Sequence, residues 1–278
     1  MGFAFSPNLK ANIFEAIRLS GSLGKSLYFL HVGKKTRKKE EKFKSILQKA
    51  PKGSSVIKTI WKEGAPVDVI ISECNKNHID LLLLGALQRE NVLKFYMGSI
   101  ARKLTRKAPC SVFLMIKPSV QHLNPNHMVV NALKSNQTEI TINAAFLYAK
   151  ALNIPNITLV DEINQSEVAV NVEDDSSLKK ATLRKKELNK EEDIRLSEIL
   201  MGVSKSLISN KNIKSQHIFG TRGYSIGHYA KVVRADILVI NSEEKRSFFW
   251  RRLFPKDLDY ILSELPTDVL IIKSNQDG

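Results

Sequence analysis

Apolar residues fall in short unbroken runs separated by longer amphipathic stretches, and the alternation is regular. The run GFAF (2–5) is followed by a stretch from Asn8 to Leu23, where Leu9, Ile13, Ala16, Ile17 and Ser20 share one side of a helix. SLYFLHV (26–32), SVIKTIW (55–61), LLLLGA (81–86) and SVFLMI (111–116) read as strands, and 38–49, 67–77 and 99–107 as helices. Near-continuous apolar strands joined by helices predict a parallel sheet covered on both faces.

The order then repeats. MVVNAL (128–133), a helix over 139–152, NITLVDE (156–162), a charged helix over about 183–209, QHIFG (216–220), a helix over 225–233, DILVIN (236–241) and DVLIIK (268–273) follow in turn. Gly64 falls on Gly220 and Asp80 on Asp236, both at an offset of 156, and Pro109 falls on Pro266 at 157. A period of domain size is a duplication, not a solenoid. The predicted domains are 1–118 and 127–278, joined by KPSVQHLNPN (117–126) with its two prolines. The polar segment 162–180 reads as a loop, and its Glu173, Asp174 and Asp175 lack the spacing of a calcium loop.

Composition changes this picture in one respect. The formal charge is +15, but residues 1–125 carry 22 Lys/Arg against 8 Asp/Glu and the remainder 21 against 20. The first half therefore favours something anionic: a nucleotide, a nucleic acid, an acidic protein, or a membrane or transporter surface. The basic run KKTRKKEEKFK (34–44) has a single aromatic, Phe43, rather than aromatics interleaved among its cations, and contains Glu40 and Glu41, which speaks against nucleic acid. No apolar run approaches the ~20 residues of a membrane span, the N-terminus lacks a signal-peptide pattern, and the expected location is the cytoplasm. The two cysteines, Cys74 and Cys110, stand far apart in unlike contexts and suggest neither a disulfide framework nor a zinc site.

Residues 80–112, DLLLLGALQRENVLKFYMGSIARKLTRKAPCSV, resemble the signature of universal stress proteins. Nucleotide-binding members of that family carry a glycine, two residues, a second glycine, nine residues, then Gly-Ser or Gly-Thr. Gly85 and Gly98-Ser99 stand at those places, and Gln88 replaces the second glycine. KEGAPVDVI (62–70), SLYFLHV and APCSVFLM resemble further parts of the pattern, so the likeness covers 1–118; over 127–273 it rests on order and spacing. The resemblance implies two tandem Rossmann-like α/β domains, each a parallel five-stranded sheet. It also implies ATP or another adenine nucleotide bound at Gly85, Ala86, Gln88, Gly98, Ser99, Ile100 and Arg102, with no essential cofactor. Family members that bind nucleotide usually end the first strand with Asp, and Ala4 stands there.

The chemistry of the motif is legible without the family. A strand-end glycine lets a phosphate or ribose approach the backbone, and Gly98-Ser99 opens a helix whose free N–H groups favour an anion. Lys94, Arg102 and Arg106 add positive potential. The alternative is a strand-end turn at Gly85 and a helix cap at Ser99. In the second half Asn241 or Ser242 replaces Gly85. Asp257 and Asp259, in the first turn of a helix over 256–265, supply the anion themselves, so that half is expected to be nucleotide-free. GTRGYSIG (220–227) lacks the dinucleotide spacing and reads as a turn into a helix.

No catalytic constellation is present: there is no GxSxG, HExxH or GK[ST] motif, and His31 and Cys110 sit at strand ends where packing is the usual role. The expectation is a non-enzymatic regulatory protein binding an adenine nucleotide in its first domain. The alternative is a nucleotide-free module whose basic face binds an acidic partner. Ser111–Ile116 and Asp268–Lys273 would each leave a long apolar edge, and antiparallel pairing of the two would cover both, making an intramolecular pseudo-dimer. The linker, up to roughly 33 Å when extended, can span that arrangement.

Overall fold

The computed structural model of the chain describes residues 1–51, 56–88, 95–96, 98–121, 123–168, 171, 173–221, 223–242, 261 and 265–273. The first strands in the chain are β1 (Leu27–Val32) and β2 (Ile57–Lys62), paired in parallel. β3 (Leu81–Gly85) pairs in parallel with β6 (Ser111–Met115). Residues 1–3 lie between these pairs: Phe3 N–H donates to Leu30 O (3.0 Å), Leu30 N–H to Met1 O (2.9 Å) and Gly2 N–H to Leu83 O (3.2 Å). The predicted strand 2–5 is thus only a bridge at Gly2, because the chain turns at Ala4, whose carbonyl accepts from Ser6 N–H (2.9 Å).

The second set is β7 (His127–Asn131), β8 (Asn156–Asn164), β9 (Asn212–Gly220), β10 (Ile237–Asn241) and β11 (Asp268–Ile272), in the order β9-β8-β7-β10-β11 and parallel throughout. β3 and β10 begin 156 residues apart, and β6 and β11 157. These are the offsets that the glycine and proline landmarks gave.

β6 and β11 pair antiparallel, Leu114 opposite Val269 and Val112 opposite Ile271. The joined sheet is therefore mixed and not purely parallel; its antiparallel step is the pairing that the apolar edges of these two strands implied. Each set is parallel because helices cross over within it, whereas the seam joins equivalent edge strands of the two sets, as a two-fold relation does. Both ends of the seam are tied by side chains. Asp268 Oδ1 accepts from Ile116 N–H (2.7 Å), and Ser111 Oγ accepts from Lys273 N–H (3.1 Å). Ser111 and Asp268 occupy matching positions, so one geometry is made once with a hydroxyl and once with a carboxyl group. Burial pushes the Asp268 carboxyl up to about 7 against those hydrogen bonds.

Helices cover both faces. α1 (Leu9–Ser22), α2 (Arg37–Gln48), α5 (Thr138–Ala151), α6 (Asp175–Gly202) and α7 (Lys205–Ile208) pack on one core, and α3 (Pro66–Lys76), α4 (Ser99–Lys107) and α8 (Tyr224–Val232) on the other. Alternate strand residues divide between them: Phe113 and Leu270 face the first core, Val112, Leu114, Val269 and Ile271 the second. Local chemistry sets the helix starts. Thr36 caps α2 by accepting from Lys39 N–H (3.4 Å), and Pro66 opens α3, where a missing N–H costs nothing.

The charged helix starts earlier than expected, at Asp175, and breaks at buried Val203 before α7. A capping box between Asp174 and Ser177 (2.7 Å) fixes that start, so the acidic trio Glu173–Asp175 is a helix cap and not a loop. β8 and β9 are longer than their sequence runs; their far ends carry a small third core of Ile163, Val168, Ala181 and Leu188. Among the described residues no helix is long and apolar enough to cross a membrane.

Candidate nucleotide site

Gly85 is the last residue of β3, opposite Met115, and Ala86 follows it, buried, with its N–H on Met115 O (2.8 Å). A short hairpin comes next, β4 (Leu87–Gln88) against β5 (Phe95–Tyr96), with Gln88 opposite Phe95. Strands of two residues give no periodic signal, which is why the hairpin was not anticipated. It connects the end of β3 to the start of α4. The side chain of Gln88, and Lys94, lie outside the described residues.

Gly98 is the N-cap of α4, at φ −61° and ψ 158°, and no acidic residue lies in the first turn. Ser99 and Ile100 are exposed, while Arg102 is half-buried one turn on, with its N–H on Gly98 O (3.0 Å). The N–H groups of this first turn carry the positive end of the helix dipole.

The space that a side chain at Gly85 would need is taken by Asn12. A Cβ there would stand 2.7 Å from Asn12 Nδ2 and 2.8 Å from Oδ1. Asn12, on α1, is 7% exposed, and its Oδ1 has no hydrogen-bond partner among the described residues. Sequence reasoning missed this residue. An Asn on the otherwise apolar face of α1 was the available signal, since a buried amide oxygen left unbonded costs about 1–3 kcal/mol.

A second group of side chains gathers at the C-terminal ends of β1 and β2. His31 Nδ1 donates to Phe3 O (3.1 Å), which leaves Nε2 to accept from Lys39 Nζ (3.5 Å). Burial lowers the His31 pKa below its ordinary value; the Phe3 carbonyl opposes this, and Lys39 adds to it. The rings of Phe3, Phe5 and Trp61 lie 5.3, 5.1 and 5.0 Å from the imidazole. Lys39 stands over Phe5 (5.7 Å) and Lys35 over Trp61 (6.0 Å). The basic run 34–44 holds one aromatic, Phe43, which is buried against Phe3, and the fold brings Phe5 and Trp61 to its cations from two other segments.

The corresponding end of the second set is closed by its own charges. Arg195, from α6, donates to Ala132 O (2.7 Å) just past the end of β7, and also reaches Asp161 (3.5 Å) and Glu192. Burial, and Glu192 nearby, push Asp161 up to about 6 although Arg195 opposes them. Glu162 accepts from Gly223 N–H (2.8 Å) and Ile226 N–H (2.7 Å), so a carboxylate already sits on the N-terminus of α8. Gly220 and Gly223 form the turn into that helix, Gly223 at φ 76°. Asp257 and Asp259, and all but Ile261 and Leu265 of the helix expected over 256–265, lie outside the described residues.

Residues 13–115 match the Universal stress protein family. The first half contains a universal stress protein domain. A universal stress protein of Methanocaldococcus jannaschii is 27% identical over 79 residues, 28% of this chain and 46% of that protein. The matched stretch thus spans less than half of that relative. Among solved structures, a universal stress protein from Archaeoglobus fulgidus superposes with a TM-score of 0.67 at 15% identity, over 98% of this chain and 96% of its own. A putative universal stress protein from Pseudomonas aeruginosa gives 0.61 at 15% identity, over 90% and 83%. At such identities the likeness concerns the fold, and it runs the length of both strand sets.

Proposed function

We propose that the protein is a non-enzymatic regulator of the universal stress class. In this reading residues 1–118 and 127–278 are two such domains, and only the first holds an adenine nucleotide, ATP or a close relative. Its phosphates sit on the N-terminus of α4, at Gly98 and Ser99, with Arg102 adding charge and the Asn12 amide beside Gly85 offering a polar contact.

The observation that carries this reading is the start of α4. α4 has no acidic residue in its first turn and has Ser99 exposed there. A free ligand that binds only the folded state raises the melting temperature by mass action. ATP is expected to do so, and Gly98→Val to remove the shift by placing a branched side chain where phosphate would lie. Native mass spectrometry that finds only apoprotein, with no thermal shift on adding ATP, overturns the reading.

The aromatic and cationic corner at Phe5, His31, Trp61, Lys35 and Lys39 favours a second reading, in which the domain is nucleotide-free and this face holds an acidic protein. Ala4, exposed at the turn beside that corner, offers no carboxylate for a nucleoside. Binding of an acidic peptide that weakens steeply with salt and is lost in Lys35→Glu/Lys39→Glu supports it; binding unchanged in that variant removes it.

A further inference from the structure

We propose that two copies of this protein associate through the exposed face of α6, the two helices running antiparallel about a two-fold axis. α6 buries Ala181, Leu188 and Leu196 on one side. At about 100° per residue, Leu183, Ile194 and Met201 fall in line on the opposite side. They are 51%, 51% and 83% exposed, and Glu187, Lys190 and Ser197, also exposed, complete the stripe between them. The stripe advances in alternating steps of four and three residues, the spacing of a seam between two helices.

The charges on α6 identify the partner as another copy. Residues 175–188 carry five Lys/Arg against two Asp/Glu, and residues 189–202 carry two against four. This order opposes the helix dipole, which favours acids at the N-terminus and bases at the C-terminus, and the last turn holds no basic residue. A second α6 laid antiparallel offsets the mismatch, because each basic half then lies along an acidic half. With the axis midway between Leu188 and Asn189, Leu183 of one copy faces Ile194 of the other, and Glu187 faces Lys190. Lys186 lies beside Glu191, and Lys179 beside Glu198. Each contact is made twice, as a two-fold interface requires. A parallel pair would set like charges side by side. Within the chain Arg184 reaches Glu187 (3.3 Å) and Glu191 (3.8 Å), but among the described residues no ion pair engages Lys179, Lys186, Lys190 or Glu198.

The test is sedimentation velocity of the full chain over a range of concentrations. The expected result is a monomer–dimer equilibrium that shifts toward monomer as salt rises. Leu183→Glu/Ile194→Glu should weaken association at least about tenfold. Circular dichroism and thermal unfolding of the monomer should stay unchanged, because both side chains already face water. Orientation is read by mixing Leu183→Cys and Ile194→Cys chains under mild oxidant: disulfides should join the two variants to each other, and neither variant should link to itself. The native cysteines are buried and do not compete. A monomer at every concentration, or binding of this face to anionic lipid vesicles in place of dimerisation, would overturn the proposal. So would a dimer unaffected by the double substitution, or links of Leu183→Cys chains to one another.

Discussion

The two strand sets share an order and a direction, with nearly constant offsets from β2 onward, yet they treat their C-terminal ends in opposite ways. In the second set Arg195 bridges Ala132 O, Asp161 and Glu192, and Glu162 neutralises the start of α8. In the first, the same kind of edge carries an unbonded Asn12 oxygen, an exposed Ser99 at the start of α4, and cations held over aromatic rings. The second set closes this end with buried carboxylates and Arg195, while the first keeps Ser99 exposed and pairs Lys35 with Glu40 at the surface. Strand sets of one order can differ this way because the edge residues lie outside both apolar clusters.

The contrast breaks most severely at Glu162. Glu162→Ala removes the acceptor for two buried N–H groups and is expected to lower unfolding free energy by about 3 kcal/mol, measured in urea. Lys34→Ala, at an exposed position past the end of β1, should change it by less than about 0.5 kcal/mol. Equal losses would mean that the second edge is no more self-satisfied than the first.

Next in size is Gly85. Gly85→Ala should cost about 2 kcal/mol, because the new methyl meets the buried Asn12 amide, which must shift to admit it. Adding Asn12→Ala should recover most of that loss, and a double-mutant cycle showing no coupling would remove Asn12 from the site. At the matching position of β10, which already bears a side chain, Asn241→Ala should cost under about 1 kcal/mol.

The seam gives a pH-dependent comparison between its two ends. The Asp268 carboxyl is raised to about 7 in the folded protein, above its ordinary 3.8, so the folded state binds the extra proton between those values. Stability should therefore fall as pH rises from about 4 to 7, by a few kcal/mol at most. Asp268→Asn keeps an acceptor for Ile116 N–H and should flatten that slope, leaving a smaller slope between about 4 and 6 from Asp161, which is raised in the same sense. Ser111→Ala, at the uncharged end, should leave the slope unchanged. A slope that survives in Asp268→Asn would place the titrating group elsewhere.

The smallest effect is at the seam hydroxyl itself. Ser111→Ala loses one hydrogen bond to Lys273 N–H and should cost about 1 kcal/mol in thermal unfolding at any pH.

Most strands, the parallel order within each set, the repeated pattern and the Gly98-Ser99 helix start were legible in the chain, because burial on both faces writes a continuous apolar run and a Gly-Ser pair ahead of an amphipathic stretch marks a helix start. The meeting of β6 and β11 was also inferable, since two proline-led apolar strands would otherwise be open edges. Other features depend on residues far apart in sequence. Asn12 reaches Gly85, Arg195 reaches Ala132, and Trp61 and Phe5 flank His31 only after crossover helices have brought distant segments together. Periodicity records which face of an element is buried, but not which neighbour it is buried against. The sequence by itself therefore determined most of the elements and their repeated order, while tertiary packing decided which strand ends were closed by buried charges and which kept exposed polar groups.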